Sequence, residues 1–156
     1  MKKIKLANDK GIALVDDEDY EMLNQYKWHL DPFNYALTDF YIDNKKTTKY
    51  MHLFIINSSE GFEIDHIDND GLNNRKGNLR IVTHQQNMMN KRKIKLKTSK
   101  YKGVHLHTQN NKWQATIMLN RKSIYIGLFE SEIDAAKAYN KAAKELFGEY
   151  ANLNEV

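Results

Sequence analysis

The chain has 156 residues, 28% of them charged and 11% aromatic, which suits one globular domain or two small ones with an interior to bury and argues against wholesale disorder. It holds no cysteine, which excludes a disulfide-stapled secreted module and a thiolate zinc finger. The net charge of +4 is uneven: residues 1–90 hold 11 basic and 14 acidic side chains and residues 91–156 hold 13 and 6, while Lys91 to Lys122 carries ten Lys or Arg and no acid, a field that attracts a polyanion such as nucleic acid.

Residues 1–50 read as a small mixed α/β platform without chemistry of its own. Ile4-Lys-Leu6 and Ile12-Ala-Leu-Val15 flank the turn residues Asn8-Asp-Lys-Gly11, which predicts a hairpin. Asp16-Asp-Glu-Asp19 supplies the acidic start of a short helix, where the helix dipole favours negative charge, with Tyr20, Leu23 and Tyr26 as its buried stripe. Trp28 and Tyr35-Ala-Leu37 suggest further short strands. No uninterrupted apolar stretch is longer than the four residues of Leu53-Phe-Ile-Ile56, too short to span a bilayer. The N-terminus lacks the apolar core of a signal peptide, so a cytoplasmic protein with no membrane partner is expected.

The segment 51–90 reads as strand, polar loop, strand and helix. Glu63 to Arg75 is rich in Asn and Asp around Gly71, residues that tolerate turn conformations. Thr83, with Gln86 three positions on, has the pattern of a helix-capping box. Residues 91–100 carry six basic side chains in ten and read as a charged connector, the expected domain boundary.

Over 101–156, three strand-like runs precede a clear helix. Ser131 caps it with Asp134 three residues later, and Gly148 stops it after Phe147. Ala135, Ala138, Tyr139, Ala142, Ala143 and Leu146 form the predicted buried stripe. Strand alternation places Val104, Leu106, Trp113, Ala115, Ile117, Ile124 and Ile126 toward the helix, and His105, His107, Thr116, Met118, Ser123 and Tyr125 on the other face. The expected fold class is therefore α+β.

Asp65-His66, then Asn78-Leu-Arg80, then Asn87 in a following helix resembles the HNH endonucleases of the phage homing type over roughly Met51 to Asn90, including the lead-in Met51-His52-Leu53. Asn87 stands where histidine is more common in that family. The resemblance implies a ββα-metal finger that hydrolyses phosphodiester bonds. It implies His66 and Asn78 as catalytic residues, His66 as general base and Asn78 bracing the loop that orients it. Asp65 and Asn87 are then the metal ligands. A carboxylate and an amide oxygen are hard donors, suited to Mg²⁺ or Mn²⁺ rather than Zn²⁺. Arg80 is a candidate phosphate contact. His52 and His84 are expected to be structural or surface residues, with His84 the better candidate for supporting the site; Asp68 and Asp70 are expected to be loop residues.

Ser99-Lys-Tyr-Lys-Gly-Val104, Lys112-Trp-Gln-Ala-Thr-Ile117, Ile124-Tyr-Ile-Gly-Leu-Phe129, the alanine-rich helix and Asn152-Leu-Asn154 resemble the APETALA/ethylene-response-factor DNA-binding domain. That resemblance implies a three-stranded antiparallel sheet packed on one helix, its exposed face in the major groove. The outward residues His105, His107, Thr116, Met118, Ser123 and Tyr125 are then candidate base or backbone contacts, with charge from Lys102, Lys112, Arg121 and Lys122. The connector residues Lys91, Arg92, Lys93, Lys95 and Lys97 are expected to follow the DNA backbone.

The expected protein is a metal-dependent, site-directed DNA endonuclease. It acts as a monomer on double-stranded DNA, nicks one strand, needs no small-molecule cofactor and works in the cytoplasm of a bacterial host if phage-encoded. The alternative is a DNA-binding transcriptional regulator with an inactive finger.

Overall fold

The structure, a computed structural model, describes residues 1–91 and 98–156. It is α+β and divides into two compact units, Met1–Asn87 and Met88–Val156. Among the described residues no helix is long and apolar enough to cross a membrane.

The first unit starts with the expected hairpin, β1 (Lys2–Lys5) against β2 (Ile12–Val15). Helix α1 (Asp17–Leu23) follows, with its acidic residues in the first turn. Next come β3 (His29–Leu30), β4 (Ala36–Ile42) and β5 (Lys45–Tyr50), an antiparallel sheet whose β4–β5 hairpin turns at Asp43-Asn44, both at positive φ. Asn and Asp accept that conformation most readily after glycine. The one-turn helix α2 (His52–Ile55) leads into the finger: β6 (Phe62–His66), β7 (Leu79–Thr83) and α3 (His84–Asn90).

Ile4, Leu6, Ala13, Val15, Leu23, Trp28, Ala36 and Met51 form the core of this unit. Fully burying Leu23 or Met51 contributes about 1.5–3 kcal/mol each. Tyr26, expected in the stripe of α1, lies past its end; it stays partly exposed and sets its ring 4.9 Å from that of Phe54.

The platform holds the finger directly. Leu14 donates its backbone N–H to the Leu72 carbonyl and accepts from Asn74, both at 2.8 Å. The acidic opening of α1 reaches the turn before Asn78: the Lys76 amide donates to Asp16 Oδ2 at 2.8 Å, and Lys76 Nζ lies 3.2 Å from Asp19. Gly71 is required where the finger loop touches the platform, since a Cβ there would meet the Asn34 carbonyl at 2.5 Å and the Tyr35 ring at 2.7 Å.

The second unit contains the three-stranded antiparallel sheet expected from the sequence, in the order β10 (Lys122–Phe129), β9 (Lys112–Leu119), β8 (Val104–His107), packed on α4 (Glu132–Phe147). Ser131 caps α4, accepting from the Ile133 and Asp134 amides, and Gly148 ends it at φ 54°. The buried row is Ala135, Tyr139, Ala143 and Phe147, joined by Ala136; Leu146, expected inside, is 42% exposed. The i, i+4 row ends on Phe147, whose larger ring takes the place predicted for Leu146.

Small residues let the helix approach closely. Gly103, at φ +73°, lies where a Cβ would meet the Tyr139 ring at 2.1 Å. In β10 the pairing shifts between Tyr125 and Gly127, so Ile126 is an extra residue and the alternation resets. Ile124, expected toward the helix, is 39% exposed and belongs to neither apolar cluster; it lies on an edge strand just past the hairpin turn at Asn120-Arg121.

Candidate active site and nucleic-acid surface

Alternation along β6 puts Glu63 and Asp65 on one face and Ile64 and His66 on the other. The register across the hairpin is regular, Asp65 opposite Arg80 and His66 opposite Leu79. Arg80 directs its guanidinium to Asp65 Oδ2, with Nη2 at 2.8 Å. The arginine expected on a phosphate is thus placed against the carboxylate.

Helix α3 supplies Asn87. The Thr83–Gln86 capping box forms: the Thr83 amide donates to Gln86 Oε1 at 2.8 Å, and the Gln86 amide donates back to Thr83 Oγ1 at 3.3 Å. This orients the first turn so that His84 and Asn87, three residues apart on one helix face, both meet Glu63. Glu63 Oε1 lies 2.7 Å from His84 Nδ1, and Asn87 Nδ2 donates to Glu63 Oε2 at 2.5 Å. Glu63 was absent from the sequence-predicted site. Its signal was available in the two-residue spacing from Asp65, which alternation translates into a shared strand face.

His66, the last residue of β6, is 3% exposed. Its ring lies 5.5 Å from that of Tyr35 and 5.2 Å from that of His52, and Nε2 is 3.3 Å from Asn74 Oδ1. The Asn74 amide nitrogen is committed to the Gly71 carbonyl, so its oxygen faces His66, and His66 Nε2 is the nitrogen that carries the proton. Burial holds the imidazole below its ordinary pKa, although Asn74 and the charges of Asp68, Asp65 and Asp70 pull it back up. His66 is therefore neutral at pH 7.

His52, expected to be structural or on the surface, stacks on Tyr50 with ring centroids 5.5 Å apart and meets His66 edge-on. Burial, with the neighbouring His66, pushes it down to about 4.

The loop between the strands is held by its own Asn and Asp side chains. Asn78 Nδ2 donates to Asp68 Oδ1 at 2.9 Å and to the Asn73 carbonyl at 2.8 Å, while Asn78 Oδ1 accepts from the Asp68 amide at 3.2 Å. Asp68 Oδ1 also accepts from the Asp70 amide, and Asp70 Oδ1 from the Leu72 amide. Asp68 and Asp70 are thus loop staples, as the sequence suggested.

Among the described residues no group of three or more His, Cys, Asp or Glu gathers as a metal cluster. One carboxylate and one amide oxygen, Asp65 and Asn87, need no such group: water and phosphate oxygens complete the shell of a hard cation. The donor chemistry fits, since the Asn87 nitrogen is committed to Glu63 and its oxygen is the end left to ligate.

In the second unit, Met118 (61% exposed), Tyr125 (59%), Ser123 and His105 are open to solvent, and Thr116 and His107 are half-buried. Pairing sets Thr116 beside Tyr125, Met118 beside Ser123, and Gln114 between His105 and Leu128. Gln114 and Leu128 therefore belong to the same outward face, and Leu128 could not be assigned to it without the bulge.

The basic residues differ in placement. Arg121 and Lys122 are exposed at the hairpin turn, and Lys112 pairs with Glu130 at 2.6 Å. Lys102 donates from Nζ to the Met89 carbonyl at 2.5 Å, and burial pushes its amine down to about 8. Lys91 is exposed, while Arg92, Lys93, Lys95 and Lys97 lie outside the described residues.

A family model described as HNH endonuclease matches residues 57–89, which span β6, its loop, β7 and most of α3. Over 154 residues, 97% of the chain, the sequence is 32% identical to an uncharacterized HNH endonuclease of Acanthamoeba polyphaga mimivirus, and the match covers 79% of that protein. Over 59 residues, 36% of the chain, it is 42% identical to APETALA2-like protein 2 of Oryza sativa subsp. indica, covering 13% of the plant protein. Over 58 residues it is 40% identical to an ethylene-responsive transcription factor of Arabidopsis thaliana, covering 14% of it. No solved structure matches the chain.

Proposed function

The chain belongs to the HNH endonuclease family and is a DNA nuclease, and from that premise we propose a divalent-metal-dependent, site-directed endonuclease of the homing type that nicks one strand of double-stranded DNA. The observation that carries this reading is the finger itself: Asn87 is tied through Glu63 to the strand face that bears Asp65, and neutral His66 ends the same strand.

In this reading Asp65 and Asn87 hold Mg²⁺ or Mn²⁺. A bound cation supplies positive charge to the scissile phosphate and to the departing 3′ oxygen. His66 would accept the proton of the attacking water at Nδ1, the ring nitrogen turned away from Asn74, which is buried in the protein without DNA. The water oxygen bonds to phosphorus, the 3′ oxygen leaves and is protonated, and the products are a 5′-phosphate and a 3′-hydroxyl. Asn78 holds the loop through Asp68 and Asn73, and Asn74, next in that loop, meets His66.

The second unit is the proposed reader. The outward face of β8–β10, with His105, Gln114, Thr116, Met118, Ser123 and Tyr125, would lie on base edges, and Arg121, Lys122 and residues 91–97 on phosphates. One chain carries one finger, with Asp65 and Asn87 toward one face of β6 and His66 toward the other at the strand end, and a single finger engages one phosphodiester at a time, so a monomer nicks. The test is incubation of supercoiled DNA containing the target with Mg²⁺ against an EDTA control. Open circles appear first and only with the metal. Unchanged supercoils under both conditions support the DNA-binding regulator with an inactive finger; linear molecules at once show paired cleavage by a dimer.

A further inference from the structure

We propose that Glu63 is a positioning residue for the metal site, fixing which end of the Asn87 amide is presented to the cation; the proposal rests on Asn87 being a ligand. An asparagine side chain can turn over to exchange its oxygen and nitrogen, and only the oxygen can ligate a hard cation. In the structure this choice is made by a single carboxylate. Asn87 Nδ2 donates to Glu63 Oε2 at 2.5 Å, a charge-assisted contact that a flipped amide would replace with oxygen facing oxygen.

The carboxylate is held from the other side by His84, whose Nδ1 lies 2.7 Å from Glu63 Oε1. His84 and Asn87 occupy one face of α3, and the Thr83–Gln86 box sets the start of that helix. Glu63 therefore ties helix to strand through His84 and the ligand itself, on the same face of β6 as Asp65. Its side chain retains 39% exposure and sits at a strand position opposite Val82, outside the apolar core of that unit.

Partners that orient a metal ligand typically change metal affinity about 10–100-fold when removed. The test uses the full chain and Mn²⁺ alone, with binding read by water-proton relaxation and folding checked by thermal denaturation. Glu63→Ala is expected to weaken Mn²⁺ about tenfold or more at an unchanged melting temperature, and to raise the Mn²⁺ needed for half-maximal nicking. Glu63→Gln is expected to bind Mn²⁺ within a few-fold of wild type, because the glutamine oxygen still accepts from Asn87 while its amide nitrogen faces His84 Nδ1.

Asn87→Asp sets two carboxylates against each other and should bind Mn²⁺ poorly. Adding Glu63→Gln to it supplies a donor and should restore binding. If Glu63→Gln is as damaging as Glu63→Ala, the negative charge itself is needed and the positioning role is overturned. Wild-type Mn²⁺ binding by Glu63→Ala, with binding abolished in Asn87→Ala, overturns the role of Glu63 alone. Wild-type binding by Asn87→Ala overturns the ligand assignment and this proposal with it.

Discussion

Arg80 places Nε 2.9 Å and Nη2 2.8 Å from one oxygen, Oδ2, of Asp65, its register partner across the β6–β7 hairpin. The two side chains are 15% and 7% exposed, so the pair is largely withdrawn from water. A buried pair of this kind contributes little beyond the cost of desolvating both charges, but breaking it strands the remaining charge. The carboxylate proposed as a metal ligand is thus already compensated by an arginine, and the cation must share it.

Arg80→Ala should lower stability by about 3 kcal/mol in metal-free buffer, because the buried Asp65 carboxylate loses the guanidinium that pairs with it. Mn²⁺ should then raise the melting temperature of this variant more than that of wild type, since the ion replaces the missing positive charge. Thermal denaturation with and without Mn²⁺ decides it. An equal response in both proteins would count against Asp65 as a ligand.

His66→Ala should lose about 10²–10⁴-fold in nicking rate, the usual contribution of a general base, while binding DNA almost as wild type does. Gel-shift titration beside a plasmid assay separates the two quantities. Cleavage at the wild-type rate would remove His66 from the chemistry.

Acidification should destabilise the first unit through His52. Its folded pKa is about 4 against an ordinary 6.5, so between those values the unfolded chain binds a proton that the folded chain does not. Stability is complete above about pH 6.5 and falls as the pH drops toward 4, by up to about 3 kcal/mol. His66, lowered in the same direction, adds to the slope. Melting temperatures of wild type and His52→Phe from pH 7.5 to 4.5 should diverge in shape, the variant declining less; parallel curves would show that His52 is not held neutral by the fold.

Neutralising Lys91, Arg92, Lys93, Lys95 and Lys97 should weaken binding to all DNA sequences and flatten the salt dependence by roughly 0.9 in slope for each phosphate that no longer meets a cation. Substituting His105, Gln114 or Tyr125 should instead change which sequences are bound. Selection from a randomised DNA pool distinguishes these effects. An unchanged salt slope after neutralisation would mean that the segment only tethers.

Much of the fold was legible because its signals are local. The Asn8–Gly11 turn, the Thr83–Gln86 box, and the Ser131 cap and Gly148 stop of α4 each depend on hydrogen bonds or φ angles within a few residues, and each forms as the residue types dictate. The finger was legible for a different reason: Asp65, His66, Asn78 and Asn87 keep a family's order and spacing. The second unit's sheet faces were partly legible, until Ile126 added one residue to β10 and reset the alternation for Leu128.

The sequence by itself determined the elements, their caps, the charge asymmetry and the identity of the catalytic candidates, because short-range backbone geometry and side-chain period act before the chain is packed. Only the tertiary structure decided that Glu63 holds Asn87, that Arg80 meets Asp65, and that His52 lies against His66. Those contacts join residues distant in sequence, and strand register, helix docking and burial fix them together. No local signal specifies which carboxylate an arginine reaches, or which imidazole loses its water.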